Sequence, residues 1–592
     1  MSLYTCKIPL ELVDEICGQL APQTNYYLYV NDERNRPART ALARCARVCR
    51  AFHTSAVRVL WRRLELSTIC EAVLRSFSLG SVKWPTNEEE SMGGHESDDE
   101  VNEDMAVGID PCSYEFNYKY VPGPISPEEW ARFKHYAPFI HVLRYGTEDT
   151  IEPSIFLFLQ QHAHGRPLFP NLRELIWEHA TPEIISMTSP SIRVLCLPED
   201  EDMRENGGQT YEYAYRMRRH AFKQMLPAVL QALPNLEELY LRKLAHEAFW
   251  YPLWRSVPSG CFVSQTIRTL CIFESRRALT RAALAAISTI HGLTALEIDM
   301  VERGGTHDFE ADNEVDVPPI RPFENLRRLL LKGSTTGMAV LAHAIAAPGL
   351  EDMEMCFRCS DDDDPNAAAV AVALHATFDV LGRRNAESLL RLSVIDPSFS
   401  QPLFIGGTSA GTPFHPVACP LLALQRLRDV EIQEVNPDAS TYTSVPGLVA
   451  AWPTVRSIDL PALVLTIDHL RDIAHTCPEL ECLRLWSLDD VTGLDLLSQA
   501  FQQQTSSYSD TDNAPDPEAT KCALRELHVD EPLCISLTSD INIVARFLDS
   551  LFPHLDLGRS SRFVVFDGEG SEDGTEVLKQ MTRLQLARRN HA

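Results

Sequence analysis

No stretch of this 592-residue chain approaches the roughly 18 consecutive apolar residues of a membrane helix, so no membrane partner is expected. Its sixteen cysteines are scattered without a dense framework. The opening MSLYTCKIPLELVDEI sets Glu11, Asp14 and Glu15 where a secretory leader needs an unbroken apolar core. Reduced thiols and a cytoplasmic or nuclear location are the expectation. Cationic residues are scarce as well: 54 Lys and Arg stand against 82 Asp and Glu, a formal net charge of −28. Phosphate backbones require a cationic field, which argues against nucleic acid as a partner. No GK[ST] phosphate loop occurs, leaving a nucleotide site unsupported.

The other catalytic and metal motifs fail on context. GTSAG at 407–411 has the spacing of a nucleophile elbow around Ser409, but the following TPFHPVACP cannot form the helix that an elbow needs. CFRC, from Cys356 to Cys359, has no second pair at zinc-ribbon spacing. DGEGSEDG at 567–574 carries Glu572 where a calcium loop requires glycine. The chain is therefore expected to be no enzyme, with no cofactor and no metal. ESDDE, around Ser97, suits an acid-directed kinase.

What the chain has is repetition. NLRELIW, NLEELYL, NLRRLLL and ELECLRL share the template apolar-x-x-apolar-x-apolar. Its first apolar position recurs at Leu172, Ile192, Leu236, Ile267, Leu293, Leu326, Leu350, Val455, Leu480 and Leu524. Weaker members start at Ile140, Leu389 and Leu427. Amphipathic segments closed by proline precede several copies, as in MAVLAHAIAAPGL. A helix, a turn and a short strand, iterated, make a unit that buries its leucines only by stacking on its neighbours. The alternate strand residues face outward, among them Glu174, Ile176, Glu178, Glu297, Asp299, Arg328, Leu330, His528 and Asp530. Tyr240, Arg242, Lys332, Arg484 and Trp486 are the candidate target contacts, because aromatic and cationic anchors dominate interfaces. This body resembles the irregular leucine-rich-repeat domains of the ribonuclease-inhibitor-like class.

The amino-terminal cassette is helical. Ile8, Leu12, Ile16 and Leu20 form an apolar stripe, with Leu10 and Val13 beside it. Pro9 suits a first turn, and the early Glu11, Asp14 and Glu15 suit the dipole. Leu42, Cys45, Val48, Cys49 and Phe52 continue at helical spacing, and Val57, Leu60, Trp61 and Leu64 make a third segment, with a break near His53–Thr54–Ser55. The order Ile8-Pro9-Leu10-Glu11, Ile16, Leu20, Val48-Cys49-Arg50-Ala51-Phe52 and Leu60-Trp61 resembles an F-box motif. That resemblance implies docking to a Skp-family adaptor, and through it to a cullin, by Ile8, Pro9, Leu10, Glu11, Ile16, Leu20, Val48, Cys49 and Phe52. A loop between the first two helices departs from the family pattern.

The organisation that follows is an α/β fold, with a small helical F-box ahead of a leucine-rich-repeat solenoid. The cassette spans 1–66 with an inserted loop at 21–40, followed by a connecting helix at 67–80. An acidic disordered linker at 81–128 separates these from the repeats at 129–560, which carry inserted acidic loops. A cap or tail fills 561–592. The resemblance implies the substrate receptor of a Skp-cullin-F-box ubiquitin ligase, holding an unidentified protein target. The competing expectation is a repeat scaffold or regulator with no ligase link, and capping of the repeat array is the other role open to the cassette.

Overall fold

A computed structural model describes residues 9–21, 35–83, 115–146, 151–178, 181–197, 220–222, 224–242, 266–275, 281–300, 319–357, 367–395, 419–433, 451–489, 522–529, 538–557, 559–560 and 576–591. The chain divides into two compact units, one of residues 1–243 and 248–267, the other of residues 244–247 and 268–592.

The first unit opens with helices α1 (Leu10–Gln19), α2 (Arg36–Cys45) and α3 (Arg50–Trp61). Val13, Cys17, Leu42 and Ala56 form their buried centre, and Leu20, Cys45, Phe52, Val59 and Leu60 pack against it. The break between α2 and α3 falls at 46–49, upstream of the His53–Ser55 position expected from sequence. Cys49 is extended (φ −160°, ψ 171°) and precedes α3, while the His53 ring reaches back to the Ala46 carbonyl at 3.0 Å. His53 thus secures the turn from inside the next helix. Trp61 stacks on Tyr136, centroid to centroid 4.1 Å, so it joins the cassette to the repeats as well as closing α3.

Strand β1 (Arg63–Glu65) follows α3 directly and pairs in parallel with a strand far along the chain, β4 (Val142–Tyr145). Between them lie helix α4 (Leu66–Val73), strands β2 (Ser78–Lys83) and β3 (Glu115–Tyr120), and helix α5 (Pro127–Tyr136). The stretch read as a linker therefore starts and ends in structure: β2 and β3 pair antiparallel, Lys83 opposite Glu115. Val82 on β2 and Phe116, Tyr118 and Tyr120 on β3 are strand formers, and the adjoining carboxylates obscured them. Residues 84–114 lie outside the described residues. The cassette is thus continuous with the sheet, and the acidic segment is an insertion between two neighbouring strands.

Helix α5 is held by its first turn. Ser126 and Glu129 form a reciprocal capping box, and the other Glu129 oxygen accepts from the Ser76 N–H at 2.8 Å. Burial alone would push this carboxyl up. The hydrogen bonds from Ser126 and Ser76 outweigh it and hold the group at about 2. A carboxylate depressed in the folded state stabilises fully above its unfolded pKa, and that stability disappears as pH falls through the folded value. Replacing Glu129 with Gln should therefore remove an increment of stability at pH 7. The difference from wild type should shrink between about pH 4.5 and 2, read by denaturant melts across that range. A difference independent of pH would refute this assignment.

Strands β5 (Glu174–Trp177), β6 (Val194–Leu197) and β7 (Glu238–Arg242) complete the parallel order β1-β4-β5-β6-β7 of this unit. Helix α6 (Ser154–Ala163) covers the inner face, where Tyr145, Phe156 and Trp177 cluster, with Tyr145 and Trp177 centroids 4.5 Å apart.

The second unit repeats the same plan. Strands β8 (Thr269–Ser275), β9 (Ala295–Met300), β10 (Arg328–Gly333), β11 (Asp352–Phe357), β12 (Arg391–Ile395), β13 (Asp429–Gln433), β14 (Ser457–Thr466), β15 (Cys482–Asp489) and β16 (Glu526–Val529) pair in sequence order, all parallel. Parallel neighbours need a crossover, and here the crossovers include helices such as 335–344, 367–385 and 467–476. A C-terminal helix, Glu576–His591, packs on the helix Thr538–Leu551, with Met581 buried.

All thirteen first template positions are no more than 2% exposed. The register explains why. Leu270, Leu296, Leu329, Met353, Leu392, Val430, Ile458, Leu483 and Leu527 stand side by side across consecutive strands and face the helices. Each such residue contributes about 1.5–3 kcal/mol by burial, and none could be buried in a single repeat.

A second regularity lies in the turn before several of the strands. There the residue just before the first template position donates its side chain to a carbonyl of the preceding repeat, two residues before that repeat's own first position. Asn171 reaches Pro138 O, Asn235 reaches Pro190 O and Asn325 reaches His291 O, each at 2.8 Å. Ser191 to Pro170 O (2.9 Å) and Arg426 to Glu387 O (2.9 Å) occupy the same positions. These rungs satisfy turn carbonyls that no strand reaches. The Asn-Leu pairs of the template were visible in the sequence; what the asparagines bond to was not.

Candidate functional site

Among the described residues, two surfaces bear most directly on function: one side of the cassette, and the face of each sheet turned away from the helices.

On α1 the buried line is Val13 and Cys17, with Leu20 partly buried beside them, and the stripe containing Leu12 and Ile16 points to solvent. Leu10 is 60% exposed, Leu12 51% and Ile16 38%; Val48, in the turn before α3, is 71% exposed. The sequence stripe is thus the outer one. Of the expected adaptor contacts, Pro9, Leu10, Glu11, Ile16, Val48 and Cys49 are exposed, whereas Leu20 and Phe52 pack inward and support the others. Ile8 lies outside the described residues.

Two basic residues of this region, Arg39 and Arg63, face carboxylates of the sheet. Arg63 pairs with Glu174 on β5 at 3.3 Å. Arg144, on the face away from the helices, is nonetheless buried between two carboxylates. It contacts Glu178 through Nε at 2.9 Å and Nη2 at 2.8 Å, and Glu65 through Nη1 at 3.4 Å. Arg39 of α2 lies close enough to Glu65 to feel its charge, although burial is the larger influence and lowers the Arg39 pKa. Glu65 therefore connects the cassette electrostatically to β4.

The expected target contacts are engaged with their own neighbours. Tyr240 donates to Glu238 at 2.8 Å, Lys332 pairs with Glu297 at 2.9 Å, and Arg484 lies 3.6 Å from Asp459. The side chains of Arg242 and Trp486 lie outside the described residues, though their backbones belong to β7 and β15. Leu330 and Asp299, expected to face solvent, are buried instead. The Lys332–Glu297 and Arg328–Glu354 pairs bracket Leu330 from both sides and keep water from it. Such cross-strand pairs are the natural lateral contacts of a sheet.

On the second unit's open face carboxylates outnumber cations: Glu297, Asp299, Asp352, Glu354, Asp429, Glu431, Asp459 and Glu526 stand against Arg328, Lys332, Arg391 and Arg484. At its last two strands Cys482, Glu526 and His528 converge, their ligand atoms all within 4.8 Å of one another. Burial first, then the Glu526 carboxylate, pushes the Cys482 thiol up. This trio escaped sequence reasoning because Cys482 and His528 are separated by one crossover and by a long acidic segment. Only the register of β15 on β16 unites them.

Among the motifs set aside above, Cys356 lies on β11, while Cys359, Ser409, Ser97 and residues 567–574 lie outside the described residues. Among the described residues, no helix is long and apolar enough to cross a membrane.

No protein-family profile matches this chain, and no curated protein does. Among solved structures, the chain is similar to the leucine-rich repeat-containing protein LegL7 from Legionella pneumophila. The two share 11% identity over 59% of this chain and 90% of that one, with a TM-score of 0.27.

Proposed function

We propose that this chain is a non-catalytic protein-interaction scaffold whose repeat strands form the binding surface. The observation that carries the reading is the open face of β9–β16, where consecutive in-register strands present charged side chains with carboxylates in excess. That charge favours a basic or polar protein segment and repels nucleic acid. Affinity capture by the intact chain, compared with a Glu354→Lys/Glu431→Lys variant, tests it. Partners bound through this face should fall at least about tenfold, since each reversal replaces an attraction with a repulsion. A partner set indifferent to both changes would remove the assignment.

The exposed Leu10–Leu12–Ile16 stripe with Val48 favours a finer reading, in which the cassette docks a Skp-family adaptor and the repeats hold a target for ubiquitin transfer. Helical cassettes place exposed aliphatic residues at such spacing when a partner covers them. Tethering would then raise the effective concentration of target at the transfer enzymes. A Leu10→Asp/Val48→Asp variant should lose capture of a recombinant Skp adaptor. Its stability should stay within about 0.5 kcal/mol of wild type, because both side chains are already in solvent. Failure of the intact chain to capture the adaptor would refute the ligase reading and leave the scaffold reading standing.

A further inference from the structure

β15 and β16 run parallel with Cys482 opposite Glu526 and Arg484 opposite His528. Strand alternation places Cys482, Glu526 and His528 on one face, the histidine two residues beyond the glutamate. All three side chains are half-buried. The carboxylate is already divided between two neighbours: Oε1 accepts from Arg559 Nη1 at 3.0 Å, and Oε2 lies 3.8 Å from His528 Nε2. Arg559 thereby turns Oε2 toward the histidine, the orienting role that outer-shell partners play for ligating carboxylates.

We propose that Cys482, Glu526 and His528 form a three-ligand site for a borderline divalent cation, Zn2+ foremost, with water as the fourth ligand. A thiolate, an imidazole and a carboxylate are the donor types zinc accepts, whereas magnesium and calcium take oxygen donors. Tetrahedral zinc with bonds of about 2.0–2.3 Å sets its ligands about 3.3–3.8 Å apart. The Glu526–His528 pair is already at 3.8 Å, and separations of up to 4.8 Å to the thiol close by side-chain rotation on a fixed sheet. On binding, Cys482 loses its proton to solvent, so one thiolate and one carboxylate balance the two charges of the cation. Asp459, also near the thiol, adds a field that favours the cation, and its own pairing with Arg484 limits the cationic opposition. The site stands on these residues alone and does not depend on the scaffold reading.

The test uses the purified full-length chain, stripped with chelator and titrated with Zn2+ alone and with Co2+ alone. Zinc affinity is read by competition with a chromogenic chelator, and cobalt geometry by absorption. The wild type should bind with a thiolate-to-cobalt charge-transfer band and the intense visible bands of tetrahedral cobalt. Cys482→Ser and His528→Gln should each weaken zinc by at least about 100-fold, with circular dichroism unchanged. Glu526→Gln, close in shape, should keep the charge-transfer band and weaken zinc by about tenfold. Absence of uptake, a six-coordinate cobalt spectrum without charge transfer, or zinc affinity within about threefold of wild type in Cys482→Ser or His528→Gln would overturn the site.

Discussion

Replacing Arg144 with Ala is expected to destabilise the first unit by about 3–5 kcal/mol, among the largest effects of any single exposed-face substitution. The guanidinium is 7% exposed and binds Glu178 with both arms of its fork while also contacting Glu65. Its removal takes the shared cation from two carboxylates in a poorly hydrated position, so the loss exceeds that of one ion pair. Arg144→Lys keeps the charge but loses the two-point geometry, and should fall between Ala and wild type. The informative control replaces the whole set: Glu65→Leu, Arg144→Met and Glu178→Leu together should recover most of the loss, because the three mutually paired charges are removed at once. Hydrogen exchange at β4 and β5 in the full chain reads this locally, which matters because two units need not unfold together. If Arg144→Ala exchanges like wild type, the triad contributes nothing.

The second large effect is expected at Trp452. Its side chain is fully buried, and its indole N–H donates to the Leu421 carbonyl at 3.2 Å. Trp452 also starts the tight turn ahead of β14, since Val455 N–H bonds its carbonyl at 3.1 Å. Trp452→Ala should cost about 3–5 kcal/mol through lost contact and an unfilled cavity. Trp452→Phe keeps most of the volume and loses only the indole hydrogen bond, since the Leu421 carbonyl still accepts from the Leu424 N–H at 3.0 Å, so a smaller loss of about 0.5–1.5 kcal/mol should remain. Amide exchange in β13 and β14 should accelerate by about 100-fold or more in the alanine variant and less in the phenylalanine variant. Equal acceleration in the two would mean that packing volume is not what Trp452 contributes.

Much of the fold was legible because the template couples two signals that have one cause. Each copy, such as Leu326-x-x-Leu329-x-Leu331, marks one residue buried in the turn and two buried on the strand. What was not legible depends on neighbours in space. The α1 stripe read as one face because Leu12, Val13, Ile16 and Cys17 are adjacent around a helix, and only packing on Leu42 and Ala56 decides which pair turns inward. Strands β2 and β3 were hidden by the carboxylates that flank them, since charge dominates composition over a long window. The pairs that occupy Lys332 and Arg484 require the register between strands, which no single repeat contains.

The turn rungs have a further consequence. Each donor sits a fixed number of residues before its strand, and its acceptor sits a fixed number before the previous strand. One edge of each sheet is thereby locked in length, since adding a residue there would shift donor from acceptor and core side chain from core. The long intervening segments leave instead from the opposite edge, after β6 at Leu197, after β9 at Met300, after β12 at Ile395 and after β15 at Asp489. Parallel strands bring all these departures to the same side of their sheet. Evolution can therefore lengthen or rewrite this protein along one margin, repeat by repeat, while the other margin keeps count.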